Sequence, residues 1–427
     1  MAPAGPVAAS TAEWSAERGE EYLHSLAPLG WKFGLERIRK LVSALGMPQH
    51  RFASVHVVGT NGKSSVTEAT AALLEAHGLR AGAYLSPHDE RWSERIRIGG
   101  AEVPPAEFAA AVERVSQAVE AVDRTLEDAA DRVTQFEAAT ATAFVALAAA
   151  GVEVAVIEAG LGGRLDATNV LPSRVTALTS VGLEHTQWLG ETEDEIAGEK
   201  LAVLRDHSTL VVGRLSDESM AVAERVAAER NAGLIKIRDL ADAVELRSGA
   251  PYARRNFAVA LACTDIVVGE LDLERVAEVA GELELHGRAE VLDTDPPMVL
   301  DAAHNPAGAE ALAEALPVLA DGRPVIACAA VLADKDERGF VAGLAPALNA
   351  LVATEVPAER LERAGRPGTR SLPAETLARA AGAADVEAIV EAEPAAAVAR
   401  SRALAAERGG VALICGSHYL LRYAGSD

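Results

Sequence analysis

Short apolar runs of three to seven residues alternate along this chain with longer stretches whose apolar positions recur every three or four residues. The short runs, at 55–58, 152–157, 175–179, 210–212 and 234–237, read as buried strands. The periodic stretches, at 35–41, 62–77, 105–123, 136–149, 193–204, 217–229, 253–268 and 273–283, read as helices. A second series begins near residue 290, with strands at 298–301, 325–331, 351–354, 386–389 and 411–415 and a helix at 307–316. Such alternation predicts an α/β protein of parallel strands joined by helical crossovers. The polar stretch Leu285-His286-Gly287-Arg288 separates the series, so we expect domains at 1–286 and 287–427, the second smaller and Rossmann-like. Residues 2–11 read as a loose tail, and no short-period repeat or low-complexity block interrupts the pattern.

The first strand runs into Gly59-Thr60-Asn61-Gly62-Lys63-Ser64-Ser65, which opens the next helix. A glycine turn there aims backbone N–H groups inward, the helix N-terminus adds partial positive charge, Lys63 adds a full one, and a serine hydroxyl can ligate Mg²⁺. This predicts a phosphate-binding loop and a P-loop ATPase-type first domain. The loop is shorter than the common GxxxxGK[ST] form, so an ordinary glycine-rich turn is the plain alternative.

Bulk properties narrow the partners. The chain has 427 residues, 49 % hydrophobic and 24 % charged, with a formal net charge of −23. That surface repels nucleic acid, and it demands a locally basic or metal-filled site for any anionic substrate. Cys263, Cys328 and Cys415 lie far apart in apolar runs, as buried thiols in a reducing compartment would, and offer no zinc-finger spacing. The start has no signal-peptide pattern, and the most apolar span, 144–157, is short and holds Glu153. We expect a cytoplasmic protein without membrane contact.

Further acids and histidines fall just past strand ends, where parallel sheets bind ligands. Glu158 opens a glycine-rich segment to Asn169 and is a metal-ligand candidate; a polar turning loop is the alternative. His185 lies past another strand, although a lone histidine is more often structural. Lys200 on its helix reads as a solvated charge on pattern alone. In the second series Asp301 is placed to accept from a ribose hydroxyl or orient a catalytic group. His304 is placed to face a reacting phosphate, and Pro306 to start a helix. A capped strand–helix junction would explain these residues too. Arg288 could reach phosphates from the boundary or be a surface charge. Asp334-Lys335-Asp336 ends a further strand, and a polar loop explains it as well.

Together these segments closely resemble the folylpolyglutamate synthase/dihydrofolate synthase family of ATP-dependent amide ligases, related to the Mur peptidoglycan ligases. The resemblance covers about residues 30–425. It rests on GTNGKSS (59–65), LSPH (85–88), FEAATATAF (136–144), EAGLGGRLDATN (158–169), LEHTQWLG (183–190), EKL (199–201), HGR (286–288) and DAAHNP (301–306). It implies that Asn61, Gly62, Lys63, Ser64 and Ser65 hold ATP phosphates, with Asn256, Arg288 and Asp301 also contacting ATP. It places Ser65, Ser86, Glu158 and His185 as ligands of one or two Mg²⁺ ions, Lys200 as a carbamylated lysine able to join them, and His304 as the HNP histidine. Lys63, Lys200, Asp301 and His304 are the implied catalytic set. Thr134, Gln135, Phe136, Glu137, Leu165, Asp166 and Ala167 match segments lining the pterin site. The sequence departs from the pattern at Ser64, where glycine is usual, leaving Ser65 favoured for the metal by alignment, and at His418, where leucine is usual.

The implied reaction moves the γ-phosphoryl of ATP onto a carboxylate of dihydropteroate or a folate, and the amine of L-glutamate then attacks the acyl phosphate. The expected partners are these small molecules alone, acting on a monomer. A Mur-type ligase would need a further N-terminal domain, for which the roughly 55 residues before the loop are too few. A non-catalytic ATP-binding module would not need this set of acids, lysine and histidines.

Overall fold

A computed structural model of the chain describes residues 14–26, 34–126, 131–237, 244–366 and 368–425. The segment read as a loose tail, 2–11, lies outside them. The strands are β1 (Ala53–Val58), β2 (Ala81–Tyr84), β3 (Ile96–Ile98), β4 (Ala101–Glu102), β5 (Val154–Glu158), β6 (Val175–Leu178), β7 (Thr209–Val212), β8 (Gly233–Lys236), β9 (Glu290–Leu292), β10 (Met298–Leu300), β11 (Val325–Ala329), β12 (Ala350–Ala353), β13 (Glu387–Val390) and β14 (Val411–Cys415). They form an eight-stranded sheet, β4-β3-β2-β5-β1-β6-β7-β8, and a six-stranded sheet, β13-β12-β11-β14-β10-β9. Both are parallel except at one edge, where β2–β3–β4 and β9–β10 pair antiparallel. The molecule is therefore a two-domain α/β fold.

Helices cover both faces of the first sheet. Val55, Val57, Val154, Val156 and Val175 pack on one face with Val66 and Leu74 of the helix Lys63–Ala76 and Val259 of the helix Pro251–Val268. The other face, with Tyr84, Ala155 and Ile157, meets the helices Pro105–Asp123 and Gln135–Ala149. The helix Gln135–Ala149 is small and apolar on nearly every side because it lies between sheet and helix, so burial rather than periodicity defines it. Thr134 and Glu137 form its capping box.

Strands β2, β3 and β4 are absent from the sequence reading. Strand β2 is Ala81-Gly82-Ala83-Tyr84, without a β-branched residue. The reason is tertiary: a Cβ on Gly82 would stand 2.5 Å from Leu147 Cδ2, so the helix behind the sheet demands a small residue. Strands β3 and β4 join through Gly99 and Gly100, both at positive φ (64° and 72°), which is the hairpin chemistry of a two-residue turn.

Both sheets point the C-terminal ends of their strands at one cleft, and ion pairs cross its rim. Arg360, on the helix Ala358–Arg363, bonds Asp89 and approaches Glu90 Oε1 at 3.5 Å, and Arg422 bonds Glu90. The Arg360 side chain is only 7 % exposed. Arg360→Ala should lower stability by about 3 kcal/mol because it strands Asp89 at a half-buried interface. Arg422→Ala, at a 40 % exposed position, should cost less than about 1 kcal/mol. Urea midpoints of the two variants check both values.

Candidate active site

The cleft holds a cavity of about 950 Å³ lined by residues of both domains. The loops after β1, β2, β5, β6 and β7 form one wall, and those after β10, β11 and β14 form the other.

The glycine turn after β1 is built to hold its shape. Gly62 has φ 84°, and a Cβ there would lie 2.5 Å from Asn256 Oδ1, so only glycine fits. The Thr179 and Ser180 hydroxyls donate to the Asn61 carbonyl at 2.6 and 3.0 Å, and Asn61 N–H donates to Ser180 Oγ at 2.9 Å. Lys63 opens the helix and donates from Nζ to Thr60 O at 3.1 Å. Asn61 and Asn305 exchange side-chain amide bonds at 3.1 and 3.0 Å, tying this turn to the second domain. Asn305 Oδ1 also caps the helix Pro306–Leu319 by accepting from Gly308 N–H at 2.8 Å.

Glu158, at the end of β5, lies beside the turn. Its Oε1 accepts from the Ser64 hydroxyl at 3.3 Å and its Oε2 from Ser86 N–H at 3.1 Å. Burial pushes its carboxyl up to about 7 against the pull of Lys63. Ser64, the residue at the variant position, is the serine that meets Glu158; Ser65, 4 % exposed, follows it along the helix and also lines the cavity. Lys200 is no solvated charge: it is 3 % exposed and donates to Gly59 O at 2.9 Å. Burial, then Lys63, brings its ammonium down to about 7. His185 takes a left-handed conformation (φ 51°), and burial and Lys335 lower its ring to about 4.

On the opposite wall His304 places Nδ1 2.9 Å from Ala302 O and Nε2 3.1 Å from Glu184 Oε1. Lys335 donates to that same oxygen at 2.7 Å and lies 3.4 Å from His185 Nε2. Asp301 is fully engaged: Oδ1 accepts from Ala303 N–H at 2.8 Å, and Oδ2 from Ala289 N–H at 2.9 Å and from the Tyr252 hydroxyl. Arg288 also lines the cavity.

With this geometry in hand, comparison with known proteins is informative. The family described as Mur ligase, glutamate ligase domain, matches residues 287–418. The dihydrofolate synthase/folylpolyglutamate synthase of Mycobacterium tuberculosis is 34 % identical over 386 residues, covering 82 % of this chain and 77 % of that protein. The chain belongs to the dihydrofolate synthase/folylpolyglutamate synthase family. Among solved structures of the family, Mycobacterium tuberculosis folylpolyglutamate synthase complexed with ADP superposes with a TM-score of 0.84 at 30 % identity, covering 96 % of this chain and 97 % of that one. The bifunctional enzyme of Yersinia pestis complexed with AMPPNP and a Mn ion gives 0.82 at 29 % identity over 99 % of each chain.

The segments expected to line a pterin site divide in two. Thr134, Phe136, Glu137, Leu165, Asp166 and Ala167 line the cavity. Gln135 does not: its Nε2 turns away to donate to His24 O at 3.2 Å. The two acids are committed to scaffolding. Glu137 accepts from Arg37 Nε at 3.2 and 3.1 Å, and its Oε2 also accepts from Thr134 N–H at 2.9 Å. Asp166 accepts from Leu161 N–H and Thr168 N–H, each at 2.9 Å. Their bonds hold the loops that carry Phe136 and Leu165, two apolar side chains of the same lining.

Glu184, Tyr252, Trp92 and Arg95 line the cavity unanticipated by the sequence reading. Only Glu184 carried a signal, as a second acid beside His185 after a strand.

Proposed function

We propose that this chain is an ATP-dependent ligase that joins L-glutamate to dihydropteroate and to the γ-carboxyl of folates. The observation that carries the reading is the convergence on one cavity of the Asn61–Ser65 loop, Glu158 and Lys200 from the first domain with Asp301 and His304 from the second. We take the division near 286/287 as the domain boundary.

Each wall then has a task. The loop N–H groups and Lys63 bind the triphosphate and offset the repulsion between its terminal phosphoryl and the acceptor carboxylate. Asn256 packs against Gly62, and Arg288 with Asp301 and Tyr252 forms the adjoining surface for the nucleoside. Ser64, Ser65, Ser86, Glu158 and His185 supply the oxygens and the imidazole suited to a Mg²⁺ ion, which when bound would neutralise phosphate charge. Phe136 and Leu165 offer the flat apolar contacts a pterin needs. His304, Lys335 and Arg366 on the second wall face the same space and suit the carboxylates of an incoming amino acid. Bonds across the cleft hold the walls together, which keeps water from a phosphorylated carboxylate. The protein would act as a cytoplasmic monomer.

The test is ADP release by purified protein with ATP, Mg²⁺ and glutamate, comparing dihydropteroate, tetrahydrofolate and a UDP-muramyl peptide as acceptor. Release with either pteridine and none with the muramyl acceptor supports the reading; ATP binding with no acceptor-dependent release refutes it.

Lys200 we assign as a carbamylation site. An amine that is neutral above about pH 7 can add CO₂, and the product is an anion beside the metal-binding side chains. With ¹³C-bicarbonate at about pH 8, a single protein-bound carbamate signal is expected, lost in Lys200→Arg. An unmodified ammonium in crystals grown with bicarbonate would count against it.

A further inference from the structure

Side chains bridge the two domains at several places, two of which contrast. Asp89 and Glu90 meet Arg360 and Arg422 at the rim, whereas Glu184 meets His304 and Lys335 inside the cavity. One oxygen, Glu184 Oε1, is shared by Lys335 Nζ at 2.7 Å and His304 Nε2 at 3.1 Å. These two side chains start from separate loops of the second domain, one after β10 and one after β11. Apart from Glu184, the acid nearest Lys335 is Asp334, at 4.0 Å. The acceptor these two side chains share thus lies on the opposite domain, while His304 Nδ1 is held by Ala302 O of its own.

That acceptor is itself fixed to the phosphate loop. The segment carrying Glu184 leaves β6 through Thr179 and Ser180, which bond Asn61, and Gly182, whose N–H donates to Thr60 Oγ1 at 3.1 Å while Thr60 donates back to Gly182 O at 3.3 Å. A few residues therefore brace the turn after β1 and reach across to His304 and Lys335. The Asn61–Asn305 pair repeats the connection one residue from His304.

We propose that Glu184 is a positioning residue for ligation, which sets His304 and Lys335 in register with the phosphate loop when the cleft is closed. The inference rests on the reading of the cavity as a ligase site. It differs from simple domain adhesion, which the rim pairs supply without touching cavity-lining cations of the opposite wall. An adhesive role would weaken all substrates and stability together. A positioning role falls on the step that needs both walls aligned, because a displacement of about 1 Å is enough to cost about 100-fold in rate.

The experiment uses the full chain and steady-state ADP release. Glu184→Gln should lower kcat/KM for glutamate by about 100-fold, while the Kd for ATP, titrated separately, changes by less than about threefold. Glu184→Asp, which keeps the carboxylate, should recover about tenfold of that loss, and the rim variant Arg422→Ala should turn over as wild type. If Glu184→Gln unfolds because Lys335 is left buried and unpaired, the pair His304→Ala/Lys335→Met and Glu184→Gln/His304→Ala/Lys335→Met replaces it. Equal losses in these two support the coupling, and the triple variant falling a further tenfold or so overturns it. Normal wild-type turnover with Glu184→Gln within about threefold overturns this inference alone. A wild-type chain without acceptor-dependent ADP release overturns the ligase reading and this one with it.

Discussion

Lys63→Ala should reduce acceptor-dependent ADP release by about 1,000-fold or more while leaving the protein folded. The position explains both halves of the expectation. Lys63 is the first residue of the helix Lys63–Ala76 and is half-buried, with one hydrogen bond, to Thr60 O. Alanine is a good helix former there, so the melting temperature should hardly move. The ammonium, by contrast, is the one full charge on the Asn61–Ser65 loop. Without it, a terminal phosphoryl and an acceptor carboxylate must approach with only N–H dipoles and a bound cation between them. Lys63→Arg should not rescue, because a planar guanidinium does not reproduce the compact point charge of the ammonium. The same charge acts on its neighbours: it holds down both the Glu158 carboxyl and the Lys200 ammonium. In the alanine variant both should therefore titrate at higher pH. Turnover within about tenfold of wild type would refute the phosphate-loop assignment.

The turn we assign to phosphate binding was legible from sequence because its chemistry is local. A strand, a turn with glycine where no Cβ fits, a lysine and two hydroxyls occupy adjacent positions, and each can be read in place. Glu158 and Asp301 were legible for a related reason: each directly follows an apolar run, and in a parallel sheet that locates it at the ligand-binding edge. What such reasoning cannot reach is depth. Lys200 looks on pattern like an exposed helical charge, and only the packing of its helix against the loops after β1 and β5 buries it. Strand β2 was hidden by the opposite effect, since its glycine and alanines answer to a helix on another part of the chain. Contacts between domains were the least legible. Glu184, Tyr252 and Lys335 acquire their roles from partners 49 to 151 positions away. Nor could position alone separate side chains that face the cavity from those that build its walls. Gln135 turns away, and Glu137 and Asp166 spend their oxygens on backbone and Arg37, although all three stand in segments matched to the family.

Divalent-metal affinity should fall steeply as the pH drops below neutrality, and Glu158→Gln should both weaken it and flatten the dependence. Glu158 is raised by burial to about 7, so in the metal-free protein it holds a proton below that pH and is an anion above it. A cation binding below pH 7 must displace that proton, which lowers its apparent affinity by about tenfold per pH unit. Lys200 acts in the same direction, since below about 7 it becomes an ammonium facing the same space and can no longer add CO₂. The combined slope should thus lie between about tenfold and 100-fold per unit. His185 contributes nothing to it, because burial and Lys335 bring its ring to about 4 and it stays neutral across this window. Above pH 7 the affinity should level off. Glu158→Gln removes one proton from the balance and replaces an anionic ligand by an amide, so its affinity near pH 8 should drop by about 100-fold or more, with only the Lys200 part of the slope left. Turnover should fall with it, because the phosphoryl group would lose its metal as well as the carboxylate that positions Ser64. Mn²⁺ titrations followed by electron paramagnetic resonance from about pH 5.5 to 8.5 measure the slope directly. An affinity independent of pH over that range, or a Glu158→Gln variant that titrates like wild type, would remove Glu158 from the metal site and return it to a bond between two backbone loops.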